Sequence, residues 1–303
     1  FKIVGPVNSS GQAVGYFGHS VTGVGDVNGD GFGDFIVNAS GVNTGSSAYV
    51  VYGGTQNGAT LNLSSGTISS TRGYKISTFG SHESSSVSGA GDVNGDGLAD
   101  IIVADYDDPT ATMSNDRSGR AVVIYSNAAG TVPSDLNNIT ATQGFKISGY
   151  FSNGASGFSE VSSLGDVNGD GLGDVGVITA NRLYVVFGNA TGAAVDLSNF
   201  TSTQGFTFET NPNGRFTSVS SAGDVNGDGL NDVVVGDGDF GNNQVFVVYG
   251  KTSGAAITTG TFNSFTMAAS DGFRVTGGAS TQFGWDVSNA GDVNGDGLAD
   301  LVV

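Results

Sequence analysis

The 303-residue sequence has no cysteine, which excludes a disulfide framework and thiol catalysis. It has only 10 Lys and Arg, against 28 Asp and Glu, and no basic cluster. A nucleic-acid partner is therefore not expected. No run reaches 18 apolar residues, so no transmembrane helix is expected, and no signal peptide is visible. Proline is scarce, at 4 residues, and no long 3.6-residue apolar period can be traced. Histidine occurs twice, as His19 and His82, at similar places in neighbouring units. Glutamate occurs only at 83, 160 and 209, and never as a recurring acid pair. Neither Gly-x-Ser-x-Gly, a phosphate loop nor a redox motif is present. No catalytic residue is expected.

Glycine is abundant, at 52 residues, together with Ser, Thr and Asn. Hydrophobic residues make up 38% and come in short β-branched runs, which separates the chain from disorder. The composition is that of an all-β protein with many turns.

One heptapeptide, Gly-Asp-Val-Asn-Gly-Asp-Gly, occurs five times, at 25–31, 91–97, 165–171, 223–229 and 291–297. A further Asp stands three residues on, giving Asp-x-Asn-x-Asp-Gly-x-x-Asp over 26–34, 92–100, 166–174, 224–232 and 292–300. Three carboxylates crowd into nine residues, which is unfavourable unless a cation neutralises them. Hard oxygen ligands at alternating positions, with Gly at the sixth, suit calcium better than magnesium. The expected side-chain ligands stand at positions 1, 3, 5 and 9. They are Asp26, Asn28, Asp30 and Asp34; Asp92, Asn94, Asp96 and Asp100; Asp166, Asn168, Asp170 and Asp174; Asp224, Asn226, Asp228 and Asp232; and Asp292, Asn294, Asp296 and Asp300. The carbonyl at position 7 would complete the shell, from Phe32, Leu98, Leu172, Leu230 and Leu298. A solvated acidic turn is the alternative, and five near-identical copies speak against it. Fifteen of the 28 acids lie in these loops, and five Ca²⁺ would bring the net charge from −18 to −8.

The loop is not an EF-hand, because position 12 is valine (Val37, Val103, Val177, Val235, Val303) rather than a bidentate Glu. Position 9 leads into a short apolar strand, such as Ile101-Ile102-Val103, not into a helix. Dockerin modules share the wording, but there each copy leads into a helix.

The loops recur at intervals of 66, 74, 58 and 68 residues, which suits a four-stranded propeller blade. Each unit contains a Gly-aromatic strand (Gly73-Tyr74, Gly144-Phe145, Gly205-Phe206, Gly272-Phe273, and Phe1-Lys2-Ile3 at the start). It contains a strand opened by Phe17, Phe79, Phe158, Phe216 or Phe283 and leading into the loop, in which Ser20, Ser86, Glu160, Ser218 or Asp286 precedes a valine. An apolar strand comes after the loop, and then an alternating strand such as Ala121 to Tyr125. Leu61-Asn62-Leu63, Asp135-Leu136 and Asp196-Leu197 mark one more short shared element.

These features together resemble the FG-GAP repeat of the integrin alpha-subunit β-propeller and its bacterial relatives, across the whole chain. The Phe-Gly half is kept in three units and becomes Phe-Ser or Phe-Thr in two. The Gly-Ala-Pro half is replaced, for example by Asn38-Ala39-Ser40 and Gly236-Asp237-Gly238. The resemblance implies one propeller domain over 1–303, with four-stranded antiparallel blades and calcium loops between the first two strands of each. It also implies a non-catalytic adhesion, recognition or scaffold role at a cell surface or outside the cell, with an unknown protein or glycan ligand. A glycan-binding lectin, an accessory domain of a secreted hydrolase and a subunit of a surface layer or filament are the rival readings. Because Leu301-Val302-Val303 breaks off inside the fifth unit, the chain is expected to be part of a longer polypeptide of about seven blades. A five-bladed ring lacking a strand, or one completed by a neighbouring chain, are the alternatives. Trp285 is expected in a blade core, and Asp105 to Asp108 and Asp237 to Asp239 are expected as solvated turns.

Overall fold

The computed structural model describes residues 2–7, 16–40, 47–54, 60–77, 86–105, 119–133, 135–149, 158–179, 181–210, 214–238, 243–252, 262–263, 267–278 and 281–303. The Phe79-Gly80 pair, His82, Glu83, Asp107, Asp108 and Asp239 lie outside them, as does Phe1. The side chains of His19 and Asp105 likewise lie outside what is described.

Four complete antiparallel blades stand in chain order. Blade 1 comprises Tyr16–Gly25, Asp34–Ser40, Ser47–Val51 and Gly73–Ser77. Blade 2 comprises Ser86–Gly91, Asp100–Asp105, Arg120–Ile124 and Gly144–Ser148. Blade 3 comprises Phe158–Gly165, Asp174–Thr179, Arg182–Val186 and Gly205–Glu209. Blade 4 comprises Ser218–Gly223, Asp232–Asp237, Gln244–Val248 and Gly272–Thr276. The fifth unit contributes Ser288–Gly291 paired with Asp300–Val302. The fold is an all-β propeller of four-stranded antiparallel blades.

The Gly-aromatic segment is the fourth, outer strand of the preceding sheet, so sequence repeat and blade are offset by one strand. Its glycine is required. At Gly144 φ is +143°, and a methyl there would stand 1.9 Å from the Val123 carbonyl oxygen; Gly73, Gly205 and Gly272 repeat this. The aromatic beside it packs edge-on against the ring that ends the third strand. The pairs are Tyr52–Tyr74, Tyr125–Phe145, Phe187–Phe206 and Tyr249–Phe273, with centroids 6.0–6.2 Å apart.

Outer strands are extended in parallel by short pieces of the next unit. Ile147 pairs with Val195 and Phe208 with Phe262, and Lys2–Val4 pairs with Thr60–Asn62 in the same way. The shared Asp-Leu element is a 3-10 turn. Asp135 and Asp196 cap it by accepting the amides of Asn137 and Ser198, and Leu136 and Leu197 are buried.

Strand alternation sends each sheet's two apolar faces into two different seams. Between blades 1 and 2, Ile36, Val50 and Ile76 meet Val103 and Ile124. Between blades 2 and 3, Val123, Phe145 and Ile147 meet Phe158, Val177 and Tyr184. Between blades 3 and 4, Phe208 stacks on Phe216 at 5.7 Å and tilts against Phe246 at 5.2 Å. Trp285 departs from expectation. It is 55% exposed, and its neighbour Phe283 takes the place against the core.

Phe208→Ala opens a cavity between two sheets that cannot collapse independently. It is expected to cost about 3–5 kcal/mol, read as a lower denaturant midpoint with unchanged slope. A loss under about 1 kcal/mol would contradict face-to-face blade packing.

Candidate metal centre: the five aspartate loops

Each loop begins at a β-bulge, where the strand register shifts at Gly25, Gly91, Gly165, Gly223 or Gly291. The bulge turns the chain so that the Asp at position 1 faces the backbone of its own loop. In all five loops its Oδ1 accepts the position-4 amide at 2.6–2.7 Å. Its Oδ2 accepts the position-6 amide at 2.7–2.9 Å. Glycine at positions 4 and 6 is dictated by the fold, since φ is +77° at Gly29 and +85° at Gly31, with close values in the other loops.

Position 3 is Asn because its amide plays two parts. Its Oδ1 accepts the position-5 amide at 2.8 Å in every loop. Its Nδ2 donates to the position-5 carboxylate at 2.9–3.1 Å in the first four. The position-5 Asp accepts the position-7 amide at 2.9 Å throughout.

Position 9 is different in kind. Asp34, Asp100, Asp174 and Asp232 are buried. One oxygen accepts the position-2 amide at 2.8–3.0 Å. The other accepts an amide just past the third strand, from Gly53, Ser126, Gly188 or Gly250, at 2.7–2.8 Å. In the fifth unit Asp300 accepts only from within its loop, from Val293 at 2.8 Å and Asn294 at 3.3 Å, among the described residues.

The electrostatics reflect this division. Burial pushes Asp100 and Asp174 up to about 7 and Asp232 up to about 6, opposed by their two amides and reinforced by the charges at positions 5 and 1. Asp34 is raised for the same reasons. At Asp26, burial acts upward but is outweighed by the amides of Gly31, Gly29, Asn28 and Asp30, and the carboxyl lies below its usual range. The loop thus brings the carboxylates of positions 1, 5 and 9 within electrostatic reach of one another, and every charge acting on the position-9 group has its own sign.

The donor set is oxygen only, which fits a hard divalent cation. The carboxylates bond to loop amides, and among the described residues no three acidic or imidazole groups are gathered as cation ligands. Binding an ion would draw on the lone pairs that these hydrogen bonds leave over. The side chain at position 7 is half-exposed in Phe32.

A second polar system was missed at the sequence level. It lies on the inner strands, where Ser86 Oγ accepts the Val161 amide of the next blade at 3.2 Å, and Ser218 Oγ accepts the Val287 amide at 3.3 Å. Glu160 does the same for Val219. Burial pushes Glu160 up to about 8, against the pull of that amide, with Asp286 adding to the rise. The signal was the Ser, Glu or Asp placed before each of these valines. Asp237, expected in a solvated turn, is buried and accepts the Thr210 hydroxyl and the Arg215 amide.

A polar cleft of about 280 Å³ opens beside the second loop. Asn94 and Asp96 line one side, and Asn127, Thr131, Thr142 and Gln143 the other.

A family model described as an FG-GAP-like repeat matches residues 166–235, from the first Asp of the third loop to the strand after the fourth. Phosphatidylinositol-glycan-specific phospholipase D of Rattus norvegicus is 30% identical over 160 residues, covering 47% of this chain and 18% of that protein. The Bos taurus protein of the same name is 30% identical over 155 residues, covering 46% and 17%. The chain thus spans less than a fifth of the length of these relatives. A solved structure of BBS1N in complex with ARL6DN aligns over 78% of this chain and 81% of that one, at 10% identity and a TM-score of 0.25.

A raised carboxylate pKa means that the folded state holds protons that the unfolded state releases. That contribution is full below pH about 4 and is lost as pH rises through the folded values of 6 to 8. In buffer free of divalent cations, the melting temperature is expected to fall between pH 5 and pH 8. A flat or rising profile over that window would show these carboxylates to be ionised at no cost. The bulge, the loop and the strand on either side recur in every unit, and the third and fourth of these loops lie in the stretch that matches the FG-GAP-like repeat.

Proposed function

We propose that this chain is a calcium-stabilised, non-catalytic propeller segment that works outside the cell as a recognition or scaffold module. The observation that carries this is the buried position-9 carboxylate. In the first four units it lies buried among carboxylates of its own sign, in a loop whose hydrogen bonds at positions 1, 3 and 5 recur in all five. A divalent cation shared by positions 1, 3, 5, 7 and 9 replaces that repulsion with attraction. In residues, Asp166, Asn168, Asp170 and Asp174 would hold it in the third loop with the Leu172 carbonyl, and the other four loops would do so in the same way. The ion's part is structural, since it neutralises the loop and ties the two strands that leave it. An extracellular setting fits loops of modest affinity, because calcium there is millimolar.

The relatives are named phospholipase D and the match covers less than a fifth of their length, so an accessory segment beside an enzyme is one form this module could take. The loops' carboxylates are committed to backbone amides and, in this reading, to calcium.

The cleft beside the second loop favours a second reading, a glycan site. Amides, hydroxyls and the Asp96 carboxylate face a space large enough for a sugar ring. A panel of free saccharides should then perturb the amide signals of Thr131 and Thr142 at millimolar concentration. A panel that leaves them unmoved would remove this reading.

Calcium should raise the melting temperature by at least about 5 °C between excess chelator and ~5 mM CaCl₂. Because the ligands must be deprotonated, the rise should be larger at pH 8 than at pH 5. Equal melting temperatures with and without calcium at pH 8 would defeat the proposal.

A further inference from the structure

Successive loops touch through the parts that would hold the ions. The position-8 amide of each loop donates to the carbonyl of the position-1 Asp in the loop before it. Ala99 bonds Asp26 at 3.0 Å, Gly173 bonds Asp92 at 2.7 Å, Asn231 bonds Asp166 at 3.0 Å, and Ala299 bonds Asp224 at 2.9 Å. That amide lies between two proposed oxygen donors of its own loop, the position-7 carbonyl and the position-9 carboxylate. Its acceptor belongs to a residue whose side chain is a proposed donor in the neighbouring loop.

Two further contacts reinforce the junction. The position-7 leucine lies over the position-4 glycine of the preceding loop. A methyl on Gly29, Gly95, Gly169 or Gly227 would stand 3.0–3.3 Å from Cδ2 of Leu98, Leu172, Leu230 or Leu298. At the end of the third strand, adjacent amides divide between two loops. Gly188 bonds its own Asp174 at 2.8 Å, while Asn189 bonds the preceding Val93 carbonyl at 2.9 Å. Gly250 and Lys251 repeat this with Asp232 and the Val167 carbonyl, both at 2.8 Å.

We propose that neighbouring loops take up calcium with positive coupling, transmitted through the position-8 amide and the leucine-on-glycine contact. An ion that orders the 7–8–9 segment of one loop holds the position-1 carbonyl and the glycine wall of the loop before it in the binding geometry. By linkage, the neighbour's ion returns the same effect. The coupling passes from loop to loop, so a loop in the middle of the series affects two neighbours and an end loop affects one. This rests on the calcium reading proposed for the loops, and the test separates the two.

Calcium titration of the whole 303-residue chain, by calorimetry with a competing chelator, decides it. Asp170→Ala removes one exposed proposed donor of the third loop and touches no other loop. Independent loops would leave the remaining four binding constants unchanged. Coupled loops should lose about 5-fold or more in affinity at two of those four sites. Leu230→Ala keeps every proposed oxygen donor and removes the contact with Gly169. It should weaken binding at loops 3 and 4, and the effects of the two substitutions combined should fall short of their sum in log affinity. Four constants unchanged in D170A would overturn the coupling and leave the calcium reading intact. An unaltered chain that takes up no calcium would overturn the calcium reading itself. A circular dichroism spectrum matching that of the parent chain confirms that each variant is folded, and D170A decides the question if L230A is not.

Discussion

The buried aspartate at position 9 is the constraint on which the loops depend. Its two oxygens join three parts of a blade. These are the start of the loop, the start of the second strand on which it sits, and the chain leaving the third strand. A carboxylate can accept at both oxygens, and the two donors are main-chain amides, those of Val93 and Ser126 in the case of Asp100. The same burial that makes these bonds strong makes the charge costly. A group that must be present for geometry is thus penalised for its charge, and at Asp34, Asp100, Asp174 and Asp232 the charges that act on it are carboxylates of the same loop rather than a lysine or arginine.

Much of this was legible in the sequence, and the reasons are local. The heptapeptide and its ninth-position Asp announce the loop, because each residue type is dictated by a bond or a dihedral angle within a few residues. The Gly-aromatic pair was equally visible as a repeated strand. Its membership of the preceding sheet was not, since strand pairing is a long-range property and period alone cannot say which edge a strand joins. Phe158 and Phe216 were identifiable as aromatic strand openers, and both are fully buried.

The features that stayed hidden depend on neighbours across a seam. Ser86, Glu160 and Ser218 look unrelated as side chains. They occupy one position because each need only offer an oxygen to the amide of the next inner strand. Asp237 looked like part of a solvated turn because Asp and Gly are common in turns, but the Thr210 hydroxyl and the Arg215 amide both bond to it. Trp285 was misread in the other direction: its neighbour Phe283 had already taken the core position, and its size did not decide the matter.

The one-strand offset between repeat and blade has a mechanical consequence. Each sheet is finished by the unit after it, and the outer strands of blades 2 and 3 are gripped in parallel by a later segment of that same unit. A pull along the chain therefore meets no boundary at which one blade can be released whole. Detaching a blade means stripping the edge from one sheet and withdrawing the strand that completes another. Tension is spread over adjacent blades in shear, as in overlapping roof tiles, rather than concentrated in the linkers between them.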